Sequence, residues 1–489
     1  MSHFFKLFIL MMLVPSTNCL AAIPVKFEVS KIHGLVNFVE TISGRWTYSR
    51  TLKAAYEESR FNNAENRDLI AEYLQIRNHM ANGYQFKGYP ESRDLGQSID
   101  KFFLIQSAFV NPAKGLDELK SRTTGLLPVK VSNRYFEILT HFLPIYESLI
   151  WNPNEKKLYA FLNSIKKKST QWQLPVILGQ INTFYNANWS DRTPFYITFY
   201  PIPGAKGHST AESQYNFESV GVLVDDLNDE EIFGTIVHEL CHSLHAEQDP
   251  AFQHQLDGWF TAHDSPHAKI AYQYIDEALA TAIGQGWSYQ KVSGKKSEKS
   301  WYAHRQTDQY ARALFPVVSR YFDTGNTLDA PFVKEAVAIF AKEFPEAPRE
   351  FENLFRELTI ITDGKDFDAR EIGNSFREKM RIPSLRRCSP LDKPEAVQCI
   401  NEFTNATVLI IVSEAEKAQL NELAKGFPPV KTHLQALTSS AKNVMVGGFT
   451  ADNKPFVLVK LSDKSQLKAF IEKLLEVRRI DGLQTPLMF

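Results

Sequence analysis

Cysteine is scarce in this chain, four in 489 residues. Cys19 falls in an N-terminal segment that is expected to be removed, which leaves Cys241, Cys388 and Cys399. Three thiols exclude a disulfide-dense scaffold and allow at most one pair. An excess of charge of one sign is also missing. Lys and Arg number 55 against 56 Asp and Glu, a net charge of −1, and the two signs are well mixed. That balance excludes the electrostatic footprint of a nucleic-acid-binding surface. Beyond the N-terminus no apolar run approaches the roughly 20 residues that a transmembrane helix needs. Internal repeats and long low-complexity tracts are absent too, which excludes solenoids and extended linkers.

What is there begins with Met1–Ala22, where a single positive charge at Lys6 precedes a run of Leu, Phe, Ile, Met and Val. Polar Ser16-Thr17-Asn18 and the small residues Cys19, Ala21 and Ala22 follow. This layout is that of a secretory signal peptide, with cleavage expected after Ala21 or Ala22. Asn18 stands where a lipoprotein signal needs a small residue, which weighs against lipidation of Cys19. A secreted or periplasmic location is expected. In such an oxidising compartment Cys388 and Cys399, spaced around Pro390 and Pro394, should close a small loop.

The most informative stretch is His238-Glu239-Leu240-Cys241-His242, an H-E-x-x-H pattern. Asn228 with Glu231 makes a capping-box-like start, and Asp229, Glu230 and Glu231 suit the positive end of a helix. Ile232, Phe233, Ile236, Val237, Leu240, Cys241 and Leu244 then form one apolar stripe at helical spacing, with the histidines roughly opposite. Cys241 is read as a buried small hydrophobe. Residues four apart share a helix face, so His238 and His242 can converge on one zinc ion. Glu239 can then act as general base on a zinc-activated water. His245 lies a further turn along, too far to share that ion, and is expected to line the cleft or support a ligand.

A catalytic zinc site needs a third protein ligand. Downstream, Tyr274–Ile283 reads as a small-residue apolar helix carrying Asp276 and Glu277, and a carboxylate there is costly unless paired or metal-bound. With Glu277-Ala278-Leu279-Ala280 as an E-x-x-A match, residues of about 220–320 resemble the gluzincins, zinc metallopeptidases whose third ligand is a Glu on a second helix. The resemblance implies Glu277 as that ligand. Asp276, pointing about 100° away, is expected either to orient a ligand histidine or to be a solvated acid. The resemblance further implies a Tyr or His that stabilises the oxyanion; His304 and Tyr310 are the candidates, each with a structural role as its plainer reading, in a helix expected over Trp301–Arg312 and on to Pro316. His254, His263 and His267 fall in a polar stretch broken by Pro250 and Pro266 and are read as loop residues.

Phe195–Tyr200 and Ser219–Val224 read as strands. In the resembling families such a strand borders the cleft and pairs with an extended peptide; the plainer alternative is a core strand. The expected fold class is α+β and mainly helical, with a zincin-like metallopeptidase core. The divisions are a signal peptide over 1–22, a helical N-terminal region over 23–190 and the zinc core over 191–385. A linker around Arg386–Cys399 would lead to a small two-layer α/β accessory domain over 400–489. Its elements are a strand at Thr407–Val412, a helix opened by Ser413 and Glu416, a hairpin from Asn443 to Leu461 and a last helix over Asp463–Arg479.

The reading that follows is a secreted zinc peptidase with one zinc per chain, acting on peptide or protein substrates. Two alternatives are a catalytically silent zinc-stabilised binding protein and a zinc hydrolase of a non-peptide amide.

Overall fold

The computed structural model describes residues 22–45, 49–80, 105–110, 112–204, 210–364, 366–391, 393–403, 406–413, 417–439 and 443–489. Residues 1–21 of the expected signal peptide, and Glu416 of the expected capping box, lie outside these. The chain is α+β and mainly helical. It divides into two units, residues 1–263 with 271–339, and residues 264–270 with 340–489.

The first unit carries a four-stranded sheet in the order β1-β2-β4-β3. The strands are β1 Val25–Val29, β2 Phe195–Ile202, β3 Thr210–Gln214 and β4 Phe217–Leu223. β1, β2 and β4 run parallel, and β3 lies antiparallel along β4 at the edge. β2 and β4 are almost wholly buried, as expected of strands covered on both faces. Helix Lys31–Ile42 follows β1, starts at a Ser30 cap whose hydroxyl accepts from His33 N, and is buried from Ile32 onward. Helices Arg50–Glu57, Ala64–Met80, Leu116–Arg122, Val129–Tyr146, Asn152–Gln171 and Leu174–Phe184 follow among the described residues.

Two expectations change here. Residues 23–190 are not a separate helical region, because β1 pairs with β2 from Val25↔Phe195 to Val29↔Phe199. A five-residue strand ahead of a helix gives little local signal, and its partner lies far along the chain. The polar stretch after residue 249 is a loop only in part: Asp249 caps a helix over Pro250–Thr261 that carries His254, with proline at its first position where no amide is needed, while His263 and His267 lie in the irregular connection before Ala268.

The second unit is built on a six-stranded sheet in the order β10-β8-β9-β7-β5-β6. Its strands are β5 Glu357–Thr362, β6 Ser384–Arg387, β7 Thr407–Val412, β8 Val444–Phe449, β9 Pro455–Lys460 and β10 Leu487–Met488. β6, β5, β7 and β9 are mutually parallel. Alternate residues serve opposite faces. Ile360, Leu409, Ile411, Val457 and Val459 pack with Phe376 and Phe470, whereas Ile361, Val408, Ile410 and Leu458 pack with Leu420, Leu423 and Val430.

This unit therefore has three layers, not two, and it starts near residue 340 instead of 400. Residues expected to be the end of the zinc core and a linker instead supply β5 and β6. Arg349–Leu358 reads as a helix by the spacing of its apolar residues, but the structure has only the turn Phe351–Leu354 followed by β5. Helix Pro394–Glu402 occupies the rest of the expected linker. Parallel strands must be covered on both faces, and the helices between β5, β6 and β7 provide that cover. Cys388 and Cys399 are joined, with Cα atoms 6.2 Å apart, as their spacing suggested. Among the described residues, no helix is long and apolar enough to cross a membrane.

Candidate metal centre

The motif helix runs over Asp229–Ala246. Its start is fixed as the sequence suggests: Asn228 Oδ1 accepts from Glu231 N at 3.2 Å, and Lys168 Nζ meets Asp229 at 3.0 Å. The apolar stripe from Ile232 to Leu244 is buried, with Phe233 edge-on to Trp172 at 4.8 Å. Cys241 sits on that stripe, and burial pushes its thiol well above the usual range, so it is an inert core residue.

A second helix, Ala268–Thr281, continues through a π-helical turn over Ala282–Ser288. The two helices meet at glycine. A Cβ on Gly284 would lie 2.5 Å from the Gly234 carbonyl oxygen and 2.8 Å from both Cβ and N of His238. No side chain fits there, and the backbones approach closely enough for Glu277 to reach the histidines.

Three ligand-type atoms converge as a result. His238 Nε2 and His242 Nε2 are 3.2 Å apart. Glu277 Oε2 lies 3.5 Å from the first and 3.6 Å from the second. A tetrahedral ion with bonds of about 2.0–2.2 Å sets its ligand atoms roughly 3.3–3.6 Å apart, so the spacing suits such an ion. Glu277 Oε2 is buried without a hydrogen bond, which a bound cation would remedy. His238, His242 and Glu277 thus form a group that can hold a metal ion.

The outer ring nitrogens are held as well. His242 Nδ1 lies 3.2 Å from Asp276 Oδ2, and His238 Nδ1 lies 3.4 Å from Thr281 Oγ1. Such contacts orient the rings and leave Nε2 to face the centre. The other Asp276 oxygen takes His245 Nδ1 at 2.8 Å. Asp276 therefore bridges His242, a member of the group that can hold a metal ion, and His245.

Charge and burial compete here. Burial would raise Asp276 and Glu277, but the adjacent histidines hold both carboxyls below the usual carboxylate range. Burial would lower His242, but Asp276 and Glu277 carry it well above the usual histidine range.

Other candidates separate. Tyr310 is fully buried and donates to the Ala336 carbonyl at 3.1 Å, a helix-to-helix bond in keeping with the structural one of its two readings. His304 stacks on Tyr274 with ring centroids 5.7 Å apart. The ring on the metal centre is Tyr302, stacked on His238 at 5.9 Å and 24°. Its segment is pinned by Asp308 Oδ1, which accepts from Trp301 N and Tyr302 N at 2.5 and 3.1 Å. The helix here starts at Arg305, not Trp301, and passes through Pro316 to Thr324. Tyr302 was missed because it precedes the helix and shares no periodicity with it. His254, His263 and His267 do not join the metal group.

β4, one of the two strands expected from sequence, packs on the motif helix as an internal strand, the plainer of its expected roles, and the edge strand beside that helix is β3. Ser213 Oγ of β3 donates to the Glu239 carbonyl at 2.8 Å. β4 is internal, between β2 and β3.

Compared with models of protein families, with curated proteins and with solved structures, the chain gives no match.

Proposed function

We propose that the chain is an exported zinc metallopeptidase of gluzincin type, with a zincin-like core in its first unit. The observation that carries this reading is the convergence of His238, His242 and Glu277 from two helices, each histidine backed at Nδ1. When bound, zinc supplies Lewis acidity, polarising a peptide carbonyl and making water easier to deprotonate.

The remaining work falls to the chain. Glu239, next to His238 in the helix, takes the proton from the attacking water and passes it to the leaving amine. A Gln could not do this. The Tyr302 phenol, held over His238, donates to the oxyanion that develops on the carbonyl. Asp276 keeps the His242 ring in place and supports its basicity. β3, last in the strand order of its sheet, is where an extended peptide would pair. Export rests on the layout of residues 1–22.

The test is digestion of a broad peptide mixture by the full exported chain, with and without chelator. Cleavage that is lost on chelation and restored by zinc supports the reading. A zinc-loaded chain that cleaves nothing overturns it.

A further inference from the structure

Glu218 is the most anomalous acid in the first unit. It is 0% exposed, and neither carboxyl oxygen has a hydrogen-bond partner. A buried carboxyl in that state is costly, and Leu or Met would fill the same volume without the cost. Its place is set by strand register. Glu218 stands directly opposite Ser213 on β3 and beside Ile197 on β2. Opposed residues of an antiparallel pair share a face, with Cβ atoms about 4.5–5.5 Å apart. Ser213 touches the motif helix at the Glu239 carbonyl, so Glu218 lies on the sheet face turned to that helix.

Burial, and then the nearby Glu239 carboxylate, hold the Glu218 carboxyl well above the usual range. Full burial with no partner for either oxygen favours the neutral, protonated carboxyl. What a protonated carboxyl has and leucine lacks is an O–H dipole that can face an anion.

We propose that Glu218 is a positioning residue for Glu239, its buried O–H steadying from beneath the motif helix the carboxylate that serves as base. The effect on rate rests on the metallopeptidase reading; the pairing itself does not. The coupling is through space, across the packing of β4 on the helix, where a low dielectric makes such interactions strong.

The test is a double-mutant cycle in the full chain, with Glu218→Leu, Glu218→Gln and Glu239→Gln alone and combined. Melting midpoints, zinc content and peptide hydrolysis are read for each. Glu218→Leu should raise the midpoint by about 2–4 °C, because an unpaired polar group is removed. The rise should be greater by about 1–2 °C in the Glu239→Gln background, where no carboxylate remains to be steadied. In wild-type background Glu218→Leu should lower kcat roughly tenfold with KM and zinc unchanged, and Glu218→Gln should recover most of that loss. Equal rises in both backgrounds overturn the pairing, even in a chain that cleaves peptides. Unequal rises in a chain that cleaves none leave the pairing standing and remove the peptidase reading. Should Glu218→Leu not fold, Glu218→Met, which also lacks the dipole, carries the same cycle, and additivity there overturns the pairing.

Discussion

Asp276 and His242 meet between two helices, Oδ2 to Nδ1 at 3.2 Å, while the other oxygen of Asp276 holds His245 at 2.8 Å. One carboxylate thereby fixes two histidines of the motif helix, and one of them belongs to the metal group. Asp276→Asn keeps the shape and removes the charge. Zinc affinity, measured by competition with a chelator, should fall by about 10–100-fold with the fold intact. Unchanged affinity would mean that packing alone orients His242.

On the proposed reading, the ligand set and the base are separable. Glu277→Ala should lose zinc by elemental analysis, because one of three donors is gone. Glu239→Gln should keep it and lose at least about a hundredfold in peptide hydrolysis, the usual scale for a general base. Full zinc occupancy in Glu277→Ala would remove Glu277 from the site. Equal hydrolysis by Glu239→Gln and wild type would place the base elsewhere.

Tyr302 and Tyr310 give a matched pair of tests. Tyr302→Phe should lower kcat by about 10²-fold or more without loss of zinc, as expected for one oxyanion donor. Tyr310→Phe should cost about 1 kcal/mol of stability, because the buried hydrogen bond from its hydroxyl to the Ala336 carbonyl is lost. Its hydrolysis should match wild type. The reverse pattern would reinstate Tyr310.

Chelated protein should depend on pH with two opposed limbs. Asp276 and Glu277 lie below their ordinary values, so the stability they give is present above about pH 4 and lost as pH falls through their folded values. His242 lies above its ordinary value, so its contribution is complete below about pH 6.5 and lost as pH rises through the raised value. Zinc requires His242 neutral, so it binds better as pH rises. The zinc-induced rise in melting midpoint should therefore grow between about pH 6 and 9. A zinc effect that shrinks over that range would contradict the charge arrangement at the site.

The motif helix was legible because cap, dipole and apolar stripe agree along one stretch, from Asn228 to Leu244. Glu277 was legible from a short pattern and from the cost of an acid in an apolar helix. Tyr302 was not, since a residue in an irregular turn carries no period. β5 was misread because Phe351, Leu354, Phe355 and Leu358 recur at helical spacing, while Thr359, Ile360, Ile361 and Thr362 are the β-branched run that decides the strand. What holds β5 in place is pairing with β7 and β6, and such partners cannot be read from its own residues. β3 was missed for a related reason: Thr210–Gln214 is half-exposed throughout and shows no alternation.

The close crossing at Gly284 means that the calibre of the metal site is governed by a position bearing no ligand and no chemistry. One methyl group there would strike the carbonyl of Gly234 and the backbone of His238 together, wedging the helices apart at the histidine end. Glu277 would then be drawn off while every donor stayed in the chain. A change of one carbon could thus retune the choice among ions of different radius, leaving a residue census of the centre untouched.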